Sequence, residues 1–234
     1  MKTILLTIHF FIFSLASGQI QYLETITTTD VSNLWTLDSF QIENDTIIVE
    51  RPEPIGYFGD NYQRFSIHFI SVIKDPGNSL IYHVYGKTRV KSNICSFQGT
   101  INIIGSELFA EGDFPPLKQG WLKGNYQFYE DPDDKGSGIL SGQFQSYYYL
   151  DEKDNFKYDG LMFGSDGFEN NQFEGTWKKY KTNEIKKCNW GDYRIPDSKA
   201  LDIGAAEFGP IDKYDEYGWK DFDLWRKEAK WWKE

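Results

Sequence analysis

From Leu34 to Trp190 apolar and polar residues alternate in short runs, and the runs end in clusters of Asp, Asn, Gly and Pro. Alternation by two sends successive side chains to opposite faces of a strand. The pattern therefore predicts strands over "LWTLDSF", "TIIVER", "RFSIHFISVI", "LIYHVYGKTRV", "ICSFQGTINII", "WLKGNYQFYE", "GILSGQFQSYYYL", "FKYDGLMFG", "QFEGTWKKY" and "IKKCNW". Between them "DPGN", "DPDDKGS", "DEKDN", "SDGFENN" and "TNE" supply turn chemistry, and connections this short join antiparallel neighbours in a meander.

A repeat bends that sheet. Phe97-x-Gly99-x-Ile101, Leu122-x-Gly124-x-Tyr126, Leu140-x-Gly142-x-Phe144 and Phe173-x-Gly175-x-Trp177 place a glycine between two apolar residues of the same face. Glycine on the inner face of several strands lets a sheet curl without a clash, so the expected fold is all-β, barrel-like or strongly coiled, and mainly antiparallel. Cys95 shares the parity of Phe97, Gly99 and Ile101 and should face the core.

Two segments break the alternation. Gly105–Gln119, "GSELFAEGDFPPLKQ", exceeds hairpin length and is expected to be a strap or a lid over one barrel end. After Trp190 the chain becomes irregular, and "DFDLWRKEAKWWKE" then places Phe222, Trp225, Ala229 and Trp232 on one face of an amphipathic helix. Asp221 and Asp223 at its start and Lys230 and Lys233 at its end suit the helix dipole. The expected organisation is a leader over 1–18, an antiparallel β-domain over 19–190, and a wrap with a short C-terminal helix over 191–234, packed on the β-domain.

The leader is read from "MKTILLTIHFFIFSLASGQIQ": a basic start at Lys2, an apolar run Ile4–Leu15, and small residues Ala16 and Gly18 before Gln19. That is the layout of a cleaved secretory signal, placing the protein in the periplasm or outside the cell. The run falls short of the ~20 apolar residues of a spanning helix, and no later run approaches that length, so no transmembrane segment is expected.

The formal net charge of −10 excludes nucleic acid as an expected partner. The acids are concentrated in residues 19–177, with 23 Asp or Glu against 11 Lys or Arg, so a near-neutral tail can dock on an acidic body.

In an exported chain the two cysteines, Cys95 and Cys188, predict a disulfide worth about 4–5 kcal/mol, with two buried thiols as the alternative. Neither has metal-ligand spacing, and no cofactor or metal motif is present. If "DPGN" pairs Lys74 with Ser79, then His68, His83 and Tyr85 share one face, a set without the carboxylate that acid–base or metal chemistry needs. Asp131, Asp133 and Asp134 before Gly136 lack the EF-hand spacing and read as a turn. Asp159, Asp192, Asp202 and Glu207 are the acids available to a paired-carboxylate hydrolase. Asn44-Asp45-Thr46 is a glycosylation acceptor in a eukaryotic host.

In "KKCNWGDYRIPDSKALDIGAAEFGP" the cysteine has no histidine base nearby, and Asp192 and Arg194 suit a local ion pair or turn bond, so the stretch reads as a fastening. "CNWGDYRIP", "LDIGAAEF" and "YGW" resemble the C-terminal part of a group of exported bacterial β-rich proteins. The resemblance implies bacterial origin and export, and nothing catalytic.

The function these features point to is a binding or interaction module for a small molecule, glycan or protein, with no catalytic residue assigned. Its ligand would enter the barrel mouth beneath Gly105–Gln119, against Tyr126, Phe144 and Trp177, with His68, His83 and Tyr85 as further contacts. A secreted hydrolase, acting on a substrate such as polysaccharide through paired carboxylates, is the competing expectation.

Overall fold

The computed structural model describes residues 16–42, 47–226 and 230–233. Most of the leader and the Asn44-Asp45-Thr46 acceptor lie outside these residues. Helices α1 (Ala16–Thr28) and α2 (Asn33–Thr36) precede a small hairpin of β1 (Ser39–Ile42) and β2 (Ile47–Glu50). The body is built from β3 (Ile55–Phe58), β4 (Gln63–Lys74), β5 (Ile81–Val90), β6 (Asn93–Leu108), β7 (Lys118–Glu130), β8 (Gly138–Leu150), β9 (Phe156–Tyr158), β10 (Asn170–Lys179) and β11 (Ile185–Asp192).

Every neighbouring pair is antiparallel, in the order β10-β11-β3-β4-β5-β6-β7-β8, and β10 pairs with β8 to close an eight-stranded barrel. The short β9 adds to the far end of β8. The repeated glycines make the closure possible. Gly99 lies opposite Phe128, Gly124 opposite Phe144 and Gly142 opposite Tyr126; the missing Cβ lets the neighbouring backbone come close at all three, and at Gly124 the Phe144 ring lies over it. A Cβ at Gly124 would run into the Asn102 carbonyl and come within 2.7 Å of Phe144 Cε1.

The middle of the barrel is filled by its own rings. Trp190 stacks on Phe173 at 4.9 Å, Phe173 stacks on Phe144 at 5.3 Å, and Tyr126 meets Trp190 edge-on at 5.0 Å. One end, where the 75–80 and 109–117 connections lie, is plugged by the N-terminal segment. Ile26, Leu34 and Trp35 are buried there, Trp35 Nε1 donates to Ser146 Oγ at 3.0 Å, and Lys74 Nζ donates to the Ile26, Thr27 and Thr29 carbonyls.

The C-terminal stretch packs on the outer side of β3. Ile55 and Tyr57 point outward and form a second apolar cluster with Ile195, Leu201, Phe208, Tyr214 and Trp219. Arg194 organises it: its guanidinium donates to Asp202 at 2.6 Å and to the carbonyls of Gly204, Ala205 and Ala206.

Several expectations are corrected. Cys95 and Cys188 are free and buried. Parity sends both inward, but β6 and β11 are four strands apart in either direction around an eight-stranded barrel, so the thiols face each other across its full width. A disulfide needs Cα atoms within about 7 Å.

"LWTLDSF" begins as helix α2, and the strand β3 carries no alternation signal because it is buried on both faces and follows "RPEP". Past Trp219 the described residues form turns and a 3-10 turn at Trp231–Lys233, after an earlier one at Asp212–Tyr217, rather than an α-helix. Phe222 packs on Trp219, Trp225 lies near Phe163 and Tyr193, Trp231 lies under Arg89 and Trp232 stacks on His68; Ala229 is outside the described residues. The rings thus reach separate docking places, which irregular chain permits and one helical stripe would not.

Candidate functional site

The end of the barrel opposite the plug carries the hairpin turns 59–62, 91–92, 131–137 and 180–184. It opens into a cavity of 390 Å³. Phe58, Phe65, Val90 and Trp177 form apolar walls, Cys95, Thr88 and Glu130 contribute polar atoms, and Lys91, Ser92, Asn93, Lys135 and Gly136 form the rim. The walls are aromatic: Trp177 meets Phe58 edge-on at 5.1 Å, and Phe58 lies nearly parallel to Phe65 at 6.4 Å.

Strand parity places Glu130 at this mouth. Leu122, Gly124, Tyr126 and Phe128 face the interior of β7, and Glu130 continues their series as its last residue, 5 % exposed. Its Oε1 accepts from Thr88 Oγ1 at 2.5 Å, and its Oε2 accepts from Trp177 Nε1 and from the Gly138 amide, both at 2.8 Å. A carboxylate has about four acceptor positions, so acceptor capacity is left on Oε1.

No lysine, arginine or histidine pairs with Glu130 among the described residues. Burial raises its carboxyl above the ordinary range, the three donors oppose that rise, and Asp134 adds to it. The neighbouring Cys95 thiol is pushed up to about 12 by burial and then by Glu130, which makes it a poor nucleophile.

A second buried carboxylate sits at the plugged end in a different setting. Asp192, 1 % exposed, meets Arg51 at 3.1 Å and accepts from Tyr158 Oη at 3.1 Å and Asn171 Nδ2 at 2.7 Å. Burial raises its carboxyl and Arg51 opposes the rise; Asp192 in turn holds Arg51 charged against burial. Arg51 also donates to the Trp35 carbonyl, so this cluster fastens the plug to β11.

The expected ligand contacts separate into three groups. Trp177 lines the open mouth, whereas Tyr126 and Phe144 lie in the ring-filled middle. The Gly105–Gln119 segment belongs to the opposite end, with Gly105–Leu108 continuing β6 and Lys118–Gln119 starting β7, so it cannot cover this mouth.

His68, His83 and Tyr85 all lie on the outer wall. Lys74 pairs with Tyr82 rather than Ser79, and a bulge near Ile70 shifts the register again, so the three are opposite Lys87, Ile73 and Ser71. His68 Nδ1 bonds Glu53 at 3.0 Å while its ring stacks on Trp232; His83 Nε2 bonds Asp75 at 2.6 Å.

The four acids considered for hydrolysis are dispersed. Asp159 accepts from Gln119 Nε2, Asp192 pairs with Arg51, Asp202 pairs with Arg194, and Glu207 is exposed. In the acidic turn Asp131 accepts from the Asp133 amide, and Asp134 accepts from the Ser96 amide of β6. Among the described residues no group of three or more His, Cys, Asp or Glu is arranged to hold a metal, and no helix is long and apolar enough to cross a membrane.

The residues missed from sequence are Glu130 and Thr88. Both were available by parity, Glu130 from Tyr126 and Phe128, and Thr88 from Tyr82, Val84 and Gly86 on β5. Comparison with protein-family models, curated proteins and solved structures returns no match to this chain.

Proposed function

We propose that this chain is an exported carrier that binds a small, largely apolar molecule in the hairpin-end mouth of its barrel. The observation that carries the reading is the 390 Å³ cavity, which combines aromatic walls with a single buried carboxylate and lies at the end the plug leaves open. Ligand sites of about 300–1,000 Å³ are mostly apolar with a few placed polar groups, and barrel mouths commonly hold them. Export rests on the leader pattern. Loss of residues 1–18 leaves the packed Leu23 and Ile26 in place.

The test uses a neutral apolar fluorophore, N-phenyl-1-naphthylamine, titrated into the full chain. Its emission should rise and saturate at one equivalent. Val90→Trp, which adds a ring to the cavity wall, should abolish the rise while the circular dichroism of the barrel is kept. No saturable rise, or an unchanged titration in Val90→Trp, would overturn the reading.

The hydrolase alternative gains nothing from the arrangement of Asp159, Asp192, Asp202 and Glu207, since each has its own partner or faces solvent.

A further inference from the structure

We infer that the ligand of the barrel mouth is an organic cation, a primary ammonium carried on a flat apolar body, with its nitrogen received by Glu130 and its body held between Trp177, Phe58 and Phe65. The inference rests on the mouth-binding reading above and adds the chemical class of the ligand.

The argument begins with charge. A buried carboxylate is costly unless it is paired with a cation or protonated. Glu130 receives three neutral donors and no cation among the described residues, whereas Asp192, equally buried, has Arg51. Glu130 also lines a cavity from which a ligand can approach it. Where Glu130 is ionised, the counter-charge it lacks is one that a ligand is able to deliver.

The walls favour the same class. Faces of Trp and Phe attract cations through the ring quadrupole, and more strongly when water is excluded. Phe58 already takes part in such a contact, Lys186 Nζ lying 5.3 Å from the centroid of its ring, and that lysine is paired with Glu184 at 3.2 Å rather than with Glu130. Cys95 and Thr88 beside Glu130 add no competing cation.

The rim does not reverse the sign. Lys91 and Lys135 are exposed and can stay in water, with Asp131 and Asp133 exposed on the same turn as Lys135. An anion drawn to those lysines would still have to bring its charge or its tail against the Glu130 carboxylate. A formal net charge of −10 also enriches cations near the molecule.

Three probes sharing an indole and a two-carbon arm separate the cases: tryptamine, tryptophol and indole-3-acetate, titrated calorimetrically into the full chain at neutral pH. Tryptamine should bind at least about tenfold more tightly than tryptophol, with indole-3-acetate the weakest, and it should displace N-phenyl-1-naphthylamine. In Glu130→Gln the advantage of the ammonium over the alcohol should shrink to under about threefold. Gln suits the same donors, its carbonyl accepting from Trp177 and Gly138 and its amide donating to Thr88 Oγ1.

The inference fails if tryptophol or indole-3-acetate matches tryptamine, if none of the three competes with a fluorophore that does bind, or if the preference survives in Glu130→Gln. The ranking on the unaltered protein decides the matter even if that variant fails to fold. Failure of the fluorophore itself to bind instead overturns the mouth-binding reading.

Discussion

The two ends of the barrel each bury one carboxylate on the inner face of a strand, and they treat it in opposite ways. At the plugged end Asp192 on β11 is met by Arg51, Tyr158 and Asn171, and Trp35 is packed alongside. At the hairpin end Glu130 on β7 is met by an indole, a hydroxyl and a backbone amide, and solvent reaches the cavity it lines. The first arrangement is closed in charge and leaves only a pocket of about 30 Å³ beside it, and it serves to hold the fold together. The second is satisfied in hydrogen bonds but open in charge, which is the property expected of a group that awaits a ligand.

The strongest way to break this comparison is at the plug. Arg51→Ala leaves Asp192 buried beside an emptied site and frees the Trp35 carbonyl, and it should cost about 3–5 kcal/mol of stability, read from urea unfolding. A cost under about 1 kcal/mol would mean that Arg51 and Asp192 do not fasten this end, since that is the range of exposed ion pairs.

A smaller effect is expected at the mouth, as a change of slope. Burial raises the Glu130 carboxyl, so the native state holds that proton more tightly than the unfolded chain does. Its contribution favours folding below the ordinary carboxylate pKa and is lost as pH rises through the raised value. Glu130→Gln cannot lose a proton and should remove that part of the decline. Unfolding measured across mildly acidic to neutral pH checks this, and identical slopes for the two proteins would contradict it.

The smallest effect concerns the thiols. Because Cys95 and Cys188 are free on opposite walls, a reducing agent should leave the melting midpoint unchanged, and both thiols should react in the unreduced, denatured protein. In the native state Cys95, which lines the mouth, should be modified before Cys188, although burial holds back both. A mass lighter by two hydrogens in the purified protein would show a disulfide and a barrel of different shape.

Particular residues show how far the sequence could be read. The apolar-x-Gly-x-apolar repeat located the inner face of four strands and indicated curling, because side-chain parity is a local property that needs no partner. The same parity, continued from Tyr126 through Phe128, reaches Glu130 and marks an acid on an apolar face.

What parity could not show is that Glu130 lacks a counter-ion while Asp192 has one, since Arg51 comes from a link outside the barrel strands, 141 residues away in the chain. The His68, His83 and Tyr85 grouping failed for a related reason: the real turn is longer than "DPGN" alone suggests, and a bulge near Ile70 moves every later pair. The C-terminal rings have helical spacing, but Trp231 and Trp232 are held by Arg89 and His68 on the barrel wall, and those contacts prevailed over the period.

The sequence by itself determined the strands of the wall from β4 onward, their antiparallel order and, for β6, β7, β8 and β10, the faces they turn inward, because alternation and turn chemistry act over a few residues. Only the tertiary structure decided that β8 and β10 close the ring, that this closure sets the two cysteines a full barrel width apart, and that the N-terminal plug seals one end and leaves Glu130 open at the other. Those outcomes depend on contacts between residues far apart in the chain, where a one-residue shift of register or an added bulge changes which groups meet.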